Sequence, residues 1–253
     1  MMANTDFKAA YINELIKMRR KSKIITATVI SLAAALIWQL AIALIGSGFG
    51  VRIADGASFA LSVLSFYTAS LLPLFATFVV IDSFSGEYAA NTMKQTLVRP
   101  FNRIGIYTSK VAAIATYVML SLLFMMLVSS LTGFIFEPAS FSLLSLWRVF
   151  VAYLVTWFPV MTFMLLIVML AQLSPNGILT FFLSVFIYLA LIALRFFFPQ
   201  LSNMLIVPLF DWYIGWIADI GIFGTLFRQS ILLLSSALIF FGLGCRMFES
   251  KEL

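Results

Sequence analysis

From Val149 to Leu194 the chain runs 46 positions without one charged residue. A helix of about 20 residues crosses the roughly 30 Å hydrocarbon core of a bilayer, so this run suits two crossings rather than one. The break is expected at Gln172-Leu173-Ser174-Pro175-Asn176-Gly177, where turn-forming residues cluster. The rest of the sequence agrees with this reading. Of 253 residues 63% are hydrophobic and 10% charged, against about a quarter charged in a soluble domain. So few charges cannot cover a water-facing surface, and the chain is read as an integral membrane protein. The apolar runs are continuous instead of alternating at every second residue, which points to helices that satisfy their own backbone and not to a barrel.

Six spans follow, at about 24–45, 59–81, 105–136, 149–171, 178–198 and 227–245. The second contains Pro73, a site for a kink. The third includes 26 uncharged positions from Val111 to Phe136. Residues 4–23 are polar and basic, yet Phe7, Tyr11, Leu15 and Met18 recur at helical spacing, so an amphipathic helix lying on the membrane surface is expected there. The first apolar run begins at Ile24, is longer than a signal-peptide core and has no small-residue cleavage site after it. It is read as a retained span.

Lysine and arginine set the orientation. With the N-terminus placed in the cytoplasm, twelve of the sixteen basic residues fall on that side. Arg52, Arg148, Arg195 and Arg228 fall outside. Both termini are therefore expected to be cytoplasmic. The net charge of +6 reflects this flanking of spans and not a basic domain that would bind nucleic acid. Before the sixth span, Asp211-Trp212-Tyr213-Ile214-Gly215-Trp216-Ile217-Ala218-Asp219 is rich in interfacial aromatics. It is read as an external interfacial or re-entrant hairpin, with Asp211, Trp212, Trp216 and Asp219 as its marked residues, either gating or anchoring.

Several chemistries are excluded. The chain has no histidine, which removes His-ligated metals, histidine proton relays and Ser/His/Asp catalysis. No G-x-x-x-x-G-K-[ST] pattern is present, so ATP is not bound by a P-loop. No carboxylate pair lies within a span, which disfavours an ion-coupled carrier. Arg195 can snorkel to its helix end. The twelve methionines are read as packing residues, and the lone Cys245 as a small apolar filler.

The one long polar segment inside this apolar chain lies between spans two and three, from Asp82 to Arg103. Ser83 or Ser85 can cap a short helix that carries Glu87 in its first turn. Glu87, Asn91 and Lys94 recur at helical spacing, as do Tyr88, Thr92 and Gln95, and Pro100 stops the helix. A charged helix tethered to two spans can carry force from a soluble partner to both.

Here the chain resembles the ABC-2 type transporter permeases, including those of antimicrobial-peptide immunity and export. Glu87, Asn91-Thr92, Lys94, Leu97, Pro100, Arg103 and Lys110 carry the resemblance, with Asn91 standing where Gly is commoner. The resemblance extends to the whole layout: amphipathic N-terminal helix, six spans, cytoplasmic coupling loop at 83–100 and external hairpin. It implies a single permease domain over 1–253, without catalysis or cofactor of its own, in a bacterial cytoplasmic membrane. It also implies a cytoplasmic ABC ATPase dimer that binds ATP and Mg, a second permease subunit, homo- or heterodimeric, and outward movement of an amphiphilic or hydrophobic cargo. Glu87, Tyr88, Asn91, Thr92, Lys94, Gln95 and Leu97 would then touch the ATPase, with Pro100, Arg103 and Lys110 marking the helix stop and membrane re-entry. The alternatives are a membrane-embedded lipid-modifying enzyme and a membrane scaffold protein.

Overall fold

The computed structural model describes residues 2–49, 56–89, 103–136, 138, 142–174, 176–218 and 223–250. Among these residues every regular element is helical. Helix α1 is Met2–Arg20 and α2 is Ser22–Phe49. Helix α3, Gly56–Phe66, continues through a π-helical turn, Tyr67–Leu71, into α4, Leu72–Ser83. A short α5, Ser85–Ala89, follows after Phe84. Then come α6 Arg103–Phe136, α7 Leu143–Leu173, α8 Gly177–Phe197, α9 Tyr213–Ile217 and α10 Phe223–Ser250. Six helical stretches are long and apolar enough to cross a membrane: Ile25–Ile42, Ser58–Tyr88, Arg103–Ile135, Leu143–Leu173, Gly177–Phe197 and Phe223–Ser250.

The fourth of these is the axis of the fold. Two-thirds (67%) of the most apolar 18-residue stretch of α7 is buried, against 11% of that of α8 and 17% of that of α10, and α4, α6, α9 and α10 all pack on it. Its centre holds Tyr153, Val160, Met164 and Ile167, all fully buried. The outer helices keep broad apolar faces, such as Phe182, Phe186 and Leu189 on α8, which suits a lipid surround.

Local chemistry sets the boundaries. Helix α7 starts at Leu143, six residues before the expected 149, because Ser142 and Ser145 form a reciprocal capping box. The Ser145 amide donates to Ser142 Oγ at 3.1 Å and the Ser142 amide to Ser145 Oγ at 2.8 Å. Arg148 thus lies inside the helix. The break before α8 falls at Ser174 and Asn176, inside the expected turn, where Asn176 Oδ1 accepts from the Ile178 amide at 3.0 Å.

Pro73 acts through its missing N–H. That donor would have served the carbonyl of Ala69, four residues earlier. The backbone adopts a π turn just upstream, with the Leu72 amide donating to the Tyr67 carbonyl, and the Tyr188 hydroxyl of α8 donates to the stranded Ala69 carbonyl. Tyr188→Phe should therefore cost about 1 kcal/mol of stability, read as a shift in SDS-driven unfolding of the purified chain in mixed micelles.

Helix α1 carries the expected apolar stripe but spends it differently. Met18 is buried, Tyr11 and Leu15 pack on the main core, and Phe7 stacks on Tyr11 at 6.2 Å. The Tyr11 hydroxyl meets Thr116 Oγ1 of α6 at 2.7 Å, and Glu14 meets Lys110 of α6 at 3.2 Å. Falling numbers in α1 meet rising numbers in α6, so the helices run antiparallel where they touch. The stripe faces the chain's own third span, which offers apolar surface together with polar partners that lipid tails lack.

The segment before α10 is likewise packed. It forms two 3-10 turns, Pro199–Met204 and Val207–Asp211, and then α9. Trp212 is buried with Leu209 and Leu233, and Trp216 is half exposed and stacks edge-on to Trp212 at 5.4 Å. Tyr213 Oη lies 2.6 Å from Ser65 Oγ of α3. Asp211 pairs with Arg195 at 3.4 Å, an exposed contact that contributes little. Asp219 lies outside the described residues.

Candidate functional site

Four charges from three helices form a closed square at the end of the bundle where α1, α5 and α6 meet. Lys110 Nζ lies 2.8 Å from Glu87 Oε2 and 3.2 Å from Glu14 Oε2. Lys17 Nζ lies 2.9 Å from Glu14 Oε1 and 3.1 Å from Glu87 Oε1. Each carboxylate gives one oxygen to each lysine, so signs alternate around the ring and the four charges cancel. The Lys110 side chain is fully buried, Glu14 is 7% exposed and Glu87 12%. Buried charges are tolerated in this way, when each is paired and its hydrogen-bonding groups are used.

The local sequence explains how the square is reached. Glu14 and Lys17 stand three apart on one face of α1. Lys110 sits two turns into α6, which places its ammonium inside the bundle end. Its Nζ is 5.9 Å from the Phe84 ring centre, a weak cation–π contact. Lys21, between α1 and α2, adds a looser pair with Asp82 at 3.8 Å and donates to the Asp82 carbonyl at 3.2 Å.

The two flanking lysines respond in opposite senses. Burial pulls Lys17 down, but Glu14 and Glu87 outweigh it, so Lys17 titrates above the ordinary lysine value. Its contribution to stability is complete below that ordinary value and is lost only as the pH climbs through the raised one. Lys21 titrates below the ordinary value, because burial exceeds the pull of Asp82.

The other side of α5 is tied to α7 and α8. The Tyr88 hydroxyl donates to Gln172 Oε1 at 3.1 Å, and Ser85 Oγ reaches the Ser174 carbonyl at 3.4 Å and Thr180 Oγ1 at 3.3 Å. Gly177 closes the joint, since a Cβ there would stand 2.7 Å from Ile81 Cγ2. Across the loop, Arg103 Nη1 donates to the Glu249 carbonyl near the end of α10 at 2.8 Å. Both ends of the segment 90–102 are therefore anchored to the bundle.

Of the residues singled out in the sequence, Glu87, Tyr88, Arg103 and Lys110 gather here. Asn91, Thr92, Lys94, Gln95, Leu97 and Pro100 lie outside the described residues. The placement of Glu87 differs from the outward contact expected for it, because both its oxygens are engaged by lysines of this chain. Ser83 lies within α4 and Ser85 bonds sideways, instead of serving simply as caps. Lys110 is a buried partner in the square, more than a marker of re-entry. Glu14, Lys17 and Gln172 were not foreseen. Glu14 did carry a signal, as the one acidic residue in the otherwise basic stretch from Phe7 to Lys23.

The site spends its described charges on one another. Its chemistry is mechanical: an electrically neutral joint binds α1, the exit of span two and the start of span three into one body beside a polar loop. The family model described as ABC-2 family transporter protein matches residues 12–191. None of the curated proteins compared with the chain matches it.

Proposed function

The chain belongs to the ABC-2 family of transporters, and from this membership we propose that it is the permease subunit of an ATP-driven exporter powered by a separate ABC ATPase. It is a multi-pass membrane protein and the membrane component of a transporter. In the proposed assembly two permease subunits share an ATPase dimer, with ATP and Mg held on the ATPase. The termini and the 83–100 loop face the cytoplasm of a bacterial cell, and an amphiphilic or hydrophobic cargo moves outward.

The observation that supports this reading is the anchoring of the 90–102 segment at both ends. A loop that is to receive force must pass it to spans, and here its entrance is joined to α1, α6, α7 and α8, and its exit to α10. The sequence carries no P-loop of its own. In this reading Asn91, Thr92, Lys94, Gln95 and Leu97 seat on the ATPase. Glu87 holds the base of the lever and leaves the direct contact to the residues beyond it.

The test is co-purification of the full chain, mildly extracted, with an ATP-hydrolysing ABC subunit from its own host. Replacing residues 91–97 by a Gly/Ser segment should leave the chain inserted and monodisperse but lose the ATPase. A chain that never retains an ATP-hydrolysing partner, or a Gly/Ser variant that retains it fully, sinks the proposal.

A further inference from the structure

Between α2, the π turn and α6 lies a cavity of about 220 Å³ that the coupling reading does not use. Its polar lining is made of hydroxyls: Thr28 and Ser31 of α2, Tyr67 at the start of the π turn, and Tyr117 and Ser121 of α6. These residues lie within the apolar stretches of three different spans. Tyr67 and Ser31 are each 3% exposed and form the inner wall, whereas Leu120 (59%) and Phe124 (39%) stand at the rim. The cavity therefore opens sideways onto the outer surface of the bundle.

The hydroxyl-bearing residues Ser31, Tyr67, Tyr117 and Ser121 line this one space together, and Ser31 Oγ donates to the Ala27 carbonyl at 2.8 Å. A hydroxyl has one proton to donate and two lone pairs to accept with. Ser31 has spent its one proton on a backbone carbonyl and keeps acceptor capacity toward the space, which favours a ligand that donates. Among the described residues no Asp, Glu, Lys or Arg lines the space. A charged group would lose its hydration there without a counter-ion, a heavy penalty at this depth. The volume is below the roughly 300–1,000 Å³ of sites that enclose a drug-sized molecule, so it admits a head group or a single ring. The rest of such a ligand would lie past the rim, against Leu120 and Phe124. The π turn is the local distortion at this wall, and such turns recur at functional sites.

We propose that this cavity is an intramembrane binding site for the uncharged, hydrogen-bond-donating head of an amphiphile whose apolar body rests along α2 and α6. The proposal rests on reading the chain as a transporter of amphiphiles and assigns the chemistry of the cargo's head.

The test uses the full chain alone in nanodiscs with three photoreactive probes. All have the same alkyl chain bearing a diazirine, and they end in a hydroxyl, a trimethylammonium or a sulfate. The alcohol should label the α2 and α6 peptides at least fivefold more than either charged probe. Tyr67→Phe removes one hydroxyl and should weaken that labelling roughly fivefold. Ser121→Leu fills the space and should remove it while labelling of α8 stays unchanged. Equal labelling by the three probes, or labelling that survives both substitutions, overturns the site. The assay contains no ATPase, so its failure leaves the transporter reading intact, and failure to recover an ATPase leaves the labelling result standing.

Discussion

Glu87→Lys should cost the chain its fold as well as its coupling. In place of a square of two carboxylates and two ammoniums, three ammoniums would surround Glu14, with Lys110 fully buried among them. Removing one partner from a buried ion pair costs about 3–5 kcal/mol, and a reversed charge adds repulsion to that loss. The expected result is a sharp fall in monodisperse protein and in resistance to SDS-driven unfolding in mixed micelles. The sequence alone implies a milder outcome, an inserted but uncoupled protein, because there Glu87 is assigned to a partner. The full exchange of all four charges, Glu14→Lys, Lys17→Glu, Glu87→Lys and Lys110→Glu, restores the alternation of signs around the ring and should recover a substantial part of the loss. If Glu87→Lys is as stable as the parent, or if the exchange rescues nothing, the square is not what joins α1, α5 and α6.

Gly244→Val should be the most damaging change of a single small residue in α10. A Cβ at Gly244 would run into the Tyr107 hydroxyl, with Tyr107 Cζ at 3.3 Å and the Met169 backbone at 3.6 Å. Tyr107 cannot swing aside, since it is fully buried against Phe84, Phe241 and Phe248 at ring distances of 5.4–5.9 Å. Small residues in membrane helices allow this close approach. Overpacking at such a point costs about 1–3 kcal/mol or more. Removing the obstructing oxygen supplies the control. Tyr107 donates only a long bond, 3.4 Å, to the Phe241 carbonyl, so Tyr107→Phe should be nearly neutral by itself and should suppress much of the defect of Gly244→Ala. Gly244→Ala indistinguishable from the parent in the same unfolding assay would show that α10 has room to move away.

The two sites mark different limits of sequence reasoning. The polar loop at 82–103 was legible because charge is conspicuous in an apolar chain, and Glu87 within it and Lys110 just beyond it were both noticed. That they bond each other was not legible. The pair is separated by 23 positions, and its other members, Glu14 and Lys17, belong to a helix whose basic character suggested a lipid surface. Gly244 was not legible at all, because a glycine in an apolar helix looks alike whether it faces lipid or a tyrosine. The cavity is a similar case. Ser31, Tyr67 and Ser121 are ordinary in their own spans, and only the packing of α2, the π turn and α6 brings their hydroxyls together.

By itself the sequence determined the class of protein, the six crossings and the placement of the polar loop and the aromatic segment. These follow from the length of uncharged runs and from the positions of charges and prolines along one dimension. The tertiary structure alone decided which faces meet. Helix α7 became the axis, the stripe of α1 turned inward onto α6, and Glu87 turned toward Lys110 and Lys17. The physical reason is that a span apolar on nearly every side carries no strong pattern to choose its neighbours. Shape, small residues and a few buried polar groups make that choice, and their effect exists only once the helices are in contact.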